Sequence, residues 1–247
     1  MKKLTFLSLV LAVVMTTGNF VAVAETTNPL AGKIIALDAG HGNGETGAVN
    51  ERVLKADGTP VTEAEVNWDV VQALKTKLET SYGAHVVVAE RLSTRRDRVN
   101  DAVAKCAAFD LNNDGIGDKC DVLVSVHHNG NTEPTHDGTL TIYTQKSDKP
   151  LAQALYDSLL PLTQKPEGML NGGYGMTVYK NLVSTITEAY YITNDCEAEL
   201  YLYSKNQLTD ISDSCKASGY TLENRIDHEV NLQVQGLSNY FASQTGG

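Results

Sequence analysis

The 247-residue sequence sets 20 Lys and Arg against 30 Asp and Glu, a formal net charge of −10, with 42% hydrophobic residues and four cysteines. The acidic balance argues against nucleic acid as a partner and gives no support for binding anionic lipid. The length suits one α/β domain better than two.

Met1-Lys2-Lys3, an apolar run from Leu4 to Val14 and the small-residue triplet Ala22-Val23-Ala24 predict a secretory signal peptide over 1–24. Its apolar run is too short for a stable membrane anchor, and no later segment approaches transmembrane length. The expected product is therefore residues 25–247, exported to the periplasm or beyond the cell without a membrane anchor. Losing Lys2 and Lys3 leaves 18 basic and 30 acidic residues, a net charge of −12.

Residues 25–32 read as an exposed lead-in. Lys33 to Leu37 is an apolar strand that ends in Asp38-Ala39-Gly40-His41-Gly42. Asn43 to Pro60, rich in Gly, Asn, Thr and Asp, predicts a long loop with a hairpin turn at Ala56-Asp57-Gly58-Thr59. Val66, Val70, Leu74 and Leu78 mark an amphipathic helix over 62–80, with Thr62 and Glu65 spaced as a capping box.

A strand over 85–89 and a helix over 92–108 follow, then strands over 121–127 and 138–143. The remainder reads as a helix over 149–160, a glycine-rich loop over 171–175, a strand over 184–191 and a helix over 197–203. A polar insertion over 205–219 and a closing helix over 222–241 complete the chain. Alternating strands and helices predict an α/β fold, a single domain whose twisted, mainly parallel sheet has helices on both faces.

Cys106, Cys120, Cys196 and Cys215 lie in a chain predicted to be exported, where disulfides persist. Four cysteines permit three pairings, of which Cys106 with Cys120 and Cys196 with Cys215 closes the shortest loops. The absence of a Cys-x-x-Cys pair argues against a cysteine zinc knuckle.

His41, His127 and Glu188 each fall at the carboxyl edge of a predicted strand, where open α/β sheets gather their chemistry. Two imidazoles and a carboxylate suit catalytic zinc, which keeps one position for water. Glu63, at the start of the first helix, is placed to supply that carboxylate, and a helix amino terminus favours a negative side chain. Taken singly, each has an ordinary reading: a histidine in a glycine turn, a helix-capping acid, a polar strand end. Glu188 has the least comfortable one, because an acid inside Ser-Thr-Ile-Thr-Glu-Ala-Tyr-Tyr-Ile would have to be largely buried and then paired.

Taken together, these stretches resemble the zinc-dependent N-acetylmuramoyl-L-alanine amidases, which trim bacterial peptidoglycan. The resemblance runs from about Lys33 to Phe241. Leu-Asp-Ala-Gly-His-Gly (37–42) looks like the family's opening motif, which makes His41 a zinc ligand. Thr-Glu-Ala-Glu-Val-Asn (62–67) matches the helix start whose glutamate is a ligand, here Glu63, with Glu65 as its rival two residues on. Asp-Val-Leu-Val-Ser-Val-His-His-Asn (121–129) resembles the strand ending in Ser-Ile-His-x-Asn. That makes His127 the third ligand, with the adjacent His128 on the opposite face of the strand. Glu-Ala-Tyr-Tyr-Ile-Thr-Asn (188–194) is similar to the motif whose glutamate is catalytic, here Glu188.

Arg91 and Arg98 also stand where the family has arginines, whereas Val103 stands where it usually has Asn. The resemblance implies hydrolysis of the amide between N-acetylmuramic acid and L-alanine. Its competitors are a catalytically silent wall-binding module and another zinc peptidase or esterase on the same scaffold. With no separate wall-targeting segment evident, substrate capture falls to the groove at the zinc, to the 205–219 insertion or to a regulatory protein partner.

Asp110 to Asp121 carries a second metal pattern. Asp110, Asn112, Asp114, Asp118 and Asp121, with the backbone carbonyl of Ile116 and Gly115 at the sixth place, follow the spacing of a calcium loop. An Asn, Asp and Gly turn without metal has the same composition.

Overall fold

The computed structural model describes residues 28–179 and 181–244; the predicted signal peptide lies outside them. Six strands form the main sheet: β1 (Ile34–Ala39), β4 (His85–Val88), β5 (Val122–Asn129), β6 (Thr139–Tyr143), β7 (Pro166–Asn171) and β8 (Ser184–Tyr191). Their order is β4-β1-β5-β8-β6-β7. The pairs from β4 to β8 are parallel, β6 runs antiparallel to β8, and β7 is parallel to β6. The expected α/β sheet is thus present, with two strands reversed at one edge.

Alternation along the strands divides the core in two. Ile35, Leu37, Val122, Val124 and Val126 face a layer built from α1 (Glu63–Tyr82), α3 (Lys149–Leu159) and α6 (Arg225–Gln244). Ile34, Ala36, Leu123, Ile142 and Ile186 face α2 (Arg95–Cys106) on the other side. The apolar stripe predicted for α1 is the one buried, since Val66, Val70, Leu74 and Leu78 are all inaccessible to solvent. α4 (Asp195–Ser204) packs beside α6, contributing Ala198, Tyr201 and Leu202 to the same core as the α1 layer.

Several local expectations are corrected. The 43–60 stretch has its hairpin turn at 56–59 as expected, but is not all loop: the turn joins β2 (Val49–Leu54) to β3 (Pro60–Thr62), with Lys55 N–H donating to the Thr59 carbonyl at 2.9 Å. Thr62 forms no capping box: its hydroxyl donates to Glu65 Oε2 at 3.2 Å instead of accepting a helix N–H. The first N–H groups of α1 bond to the preceding loop, Glu63 to the Ala48 carbonyl (2.8 Å) and Ala64 to that of Thr46 (2.9 Å). Tertiary contacts thereby satisfy donors that helices otherwise leave unpaired.

β7 had no strand signal because it is a largely exposed edge with a Pro at its first position and a Gly inside. Leu30, within the predicted exposed lead-in, is fully buried. The polar insertion carries a short helix, α5 (Asp213–Ala217). Its Cys215 pairs with Cys196, while Cys106 pairs with Cys120, with Cα separations of 5.4 and 5.3 Å. Among the described residues no helix is long and apolar enough to cross a membrane.

Candidate metal centre

At the carboxyl end of β1 the chain turns sharply. Gly40 N–H donates to the Val126 carbonyl at 2.9 Å, and His41 takes a left-handed backbone conformation, φ 60°. A non-glycine residue there is uncommon and clusters at functional sites. The turn presents the His41 ring beside that of His127 from β5, with ring centroids 5.0 Å apart. A side chain at residue 40 would collide with the His127 ring, since a Cβ built on Gly40 lies 2.3 Å from it. Gly40 is therefore what lets the strand end pass beneath the imidazole.

Glu63 enters from the first residue of α1 and lies between the two rings. Its Oε2 is 3.1 Å from His41 Nε2 and its Oε1 is 2.8 Å from His127 Nδ1. Ala48 N–H donates to Oε2 at 2.9 Å. Burial alone would raise the Glu63 pKa, but hydrogen bonds from His127 and His41 and the charge of His127 outweigh it and hold the carboxyl well below its usual range. One ligand atom from each of the three side chains lies within 4.8 Å of the others. Two imidazoles and an ionised carboxylate in that span fit a zinc site of three protein ligands.

The alternative ligands lie elsewhere. His128 is fully buried on the opposite face of β5, between Asn67 and Glu229. Glu65 receives Lys55 Nζ at 2.6 Å and the Thr62 hydroxyl, away from the cluster.

Glu188 sits directly beside His127, its register partner across the β5–β8 pair. Among the described residues its Oε2, which is buried, has no hydrogen-bond partner. Burial raises its pKa well above the ordinary glutamate value, and the charges of Glu63 and Glu167 add to the effect. A cation in the His41–Glu63–His127 cluster would act in the opposite sense. A buried, perturbed carboxyl beside a metal-competent cluster is the arrangement expected of an acid–base group. A cleft lined by His41 and His127 also takes in Asn43, Ser93, Arg95 and Met176.

Behind the site lies a buried ion pair that sequence reasoning missed. Arg98 Nη2 contacts Asp38 Oδ1 at 2.7 Å, Ser125 Oγ donates to Asp38 Oδ2 at 2.6 Å, and Arg98 also donates to the Ala39 carbonyl. The signal was available, since an acid inside an apolar strand must find a partner. Arg91 donates to the Ala64 carbonyl and stacks over Trp68, its guanidinium carbon 5.2 Å from the ring. Val103, by contrast, is exposed on the outer side of α2. Truncating Arg98 to Met leaves a buried, unpaired Asp38 and is expected to cost about 3–5 kcal/mol, measurable by denaturant unfolding at neutral pH.

In the 110–121 stretch, whose spacing follows a calcium loop, the twelfth position also has a task in the sheet. Asp121 Oδ2 accepts the Ile34 N–H at 2.8 Å and its other oxygen lies 3.9 Å from Lys33, so this side chain fastens the start of β1. Asp110, Asn112 and Asp114 accept N–H groups of their own loop, and Asp118 accepts that of Leu111. Ile116 N–H is itself held by Asp114.

A family profile described as N-acetylmuramoyl-L-alanine amidase matches residues 35–217. The chain belongs to that family. The amidase profile thus spans the whole stretch carrying His41, Glu63, His127 and Glu188. The N-acetylmuramoyl-L-alanine amidase LytC of Bacillus subtilis (strain 168) is 27% identical over 197 residues, covering 74% of this chain and 35% of LytC. The chain therefore spans about a third of that relative's length. In fold it is similar to an N-acetylmuramoyl-L-alanine amidase from Clostridium difficile 630, with a TM-score of 0.60, 19% identity and coverage of 86% and 98% of the two chains. The catalytic domain of CwlV, an amidase of Bacillus (Paenibacillus) polymyxa var. colistinus, gives a TM-score of 0.59 at 18% identity, covering 85% and 98%.

Proposed function

We propose that this protein is an exported, zinc-dependent hydrolase that cuts the amide between N-acetylmuramic acid and L-alanine in peptidoglycan. One observation carries the reading: His41, Glu63 and His127 converge within 4.8 Å while Glu188 stands alongside His127 in register. Held by those three side chains, zinc supplies, when bound, a Lewis acid that polarises a carbonyl and acidifies water.

The chain's own residues do the rest. Glu188 accepts a proton from the attacking water and returns it to the alanine nitrogen as the carbon–nitrogen bond breaks, leaving a lactyl carboxylate and a free amine. Its buried Oε2, without a partner among the described residues, is placed to make that hydrogen bond. The Asn43, Ser93 and Arg95 side chains lining the cleft offer donors to glycan and peptide groups. The Arg98–Asp38 pair holds the strand end from which His41 projects.

Digestion of purified sacculi followed by muropeptide analysis tests the proposal. Released stem peptides with intact glycan strands are expected; other products mean a different hydrolase, and none means a binding module.

A further inference from the structure

His128 and Glu229 are ionisable, fully enclosed and outside the metal cluster. His128 Nε2 lies 2.9 Å from Glu229 Oε2 on α6, and its Nδ1 lies 2.6 Å from Asn67 Oδ1 on α1. Asn67, equally buried, sits one helical turn after Glu63. Its Nδ2 donates to the Gly40 carbonyl at 3.0 Å and to Glu63 Oε1 at 3.3 Å. The His128 backbone N–H reaches the same Oε1 at 3.3 Å.

Donor and acceptor bookkeeping fixes the direction of this chain. The Gly40 carbonyl and the Glu63 carboxylate only accept, so the Asn67 amide must turn its NH2 toward them. Its oxygen then faces His128, whose Nδ1 must carry a hydrogen. Nε2 and Glu229 share another proton, and Glu229 is held from behind by Gln233 Nε2 at 3.3 Å. Gln233 also donates to the Thr187 hydroxyl at 3.2 Å, which ties the far end of the chain to β8. An apolar pair in place of His128 and Glu229 would avoid desolvating two ionisable groups. It would also leave Asn67 Oδ1 without a donor and let the amide turn its oxygen against Glu63.

We infer that His128 is a positioning residue: the Glu229–His128–Asn67 relay, anchored on α6, orients the Glu63 carboxylate and the Gly40 turn to receive the metal. This rests on the zinc reading above. Partners of metal ligands typically change affinity by about 10- to 100-fold when removed, and the relay that supports them here ends at Glu229, more than 160 positions downstream of Glu63.

The test is the zinc dissociation constant of the full chain, by chelator competition, with the visible spectrum of the cobalt-substituted protein as a second readout. Asn67→Ala and Glu229→Leu are expected to weaken zinc by about tenfold or more and to shift the cobalt bands. Glu229→Gln is expected to rescue both, because its amide can donate to Nε2 while Nδ1–H stays on Asn67. Val70→Ala, a fully buried change on α1 outside the relay, is expected to lower apo stability with zinc affinity near wild type. Asn67→Ala carries the test if Glu229→Leu fails to fold.

Wild-type zinc affinity and cobalt bands in Asn67→Ala would overturn the relay, as would equal weakening by Val70→Ala. A wild-type chain that binds no zinc would overturn the metal reading, and the relay's role with it.

Discussion

Glu188→Gln is expected to keep its metal and lose about a hundred- to ten-thousandfold in kcat, the range that a positioned acid–base group supplies. Gln fills the same space beside His127 but cannot carry the proton from water to the departing nitrogen. Zinc content by atomic absorption should match wild type, because Glu188 lies outside the three-residue cluster. Turnover on purified sacculi within tenfold of wild type would refute the assigned role.

Stability gives an independent check. The Glu188 pKa is raised in the folded apo protein. A group of that kind contributes stability that is present below its unfolded pKa, about 4.3 for glutamate, and is lost as pH rises through the folded pKa. The apo Gln variant should therefore be more stable than apo wild type at neutral pH, with the advantage shrinking as pH falls toward about 4. Equal stability of the two apo proteins across that window would mean that the Glu188 pKa is not raised on folding.

His127→Ala is expected to lose zinc and activity together. It removes one of three ligands and one of the two imidazoles that hold the Glu63 carboxylate in its ionised form. Affinity should fall by more than the roughly 10- to 100-fold typical of losing a ligand's partner. Added zinc should restore wild-type protein stripped by a chelator and leave the variant inactive. One equivalent of tightly bound zinc in purified His127→Ala would show that the ligand set is wrong.

Much of this was legible along the chain. The α1 stripe recurs every four residues from Val66 to Leu78, a run longer than an ordinary strand and spaced as one helix face, and its four apolar positions are the ones buried. β1 and β4 and the start of β5 were readable because their residues are apolar on both faces, and β8 because it is rich in β-branched residues. β7 was not, since an exposed edge places no periodic demand on its residues. The capping box failed for a related reason: the 46–48 loop reached the helix amino terminus before Thr62 could, and nothing local to Thr62 records where that loop runs.

By itself the sequence determined the order of the apolar strands and the long helices, the four motifs and the residue types at the strand ends, because periodicity and composition are properties of neighbours in the chain. Only the tertiary structure decided which residues meet. It put His127 toward Glu63 and its neighbour His128 into the core with Glu229, gave Asp38 its Arg98, and used Asp121 to fasten β1. The physical reason is that adjacent strand residues point to opposite faces, and the partners awaiting each face come from helices and strands dozens of residues away.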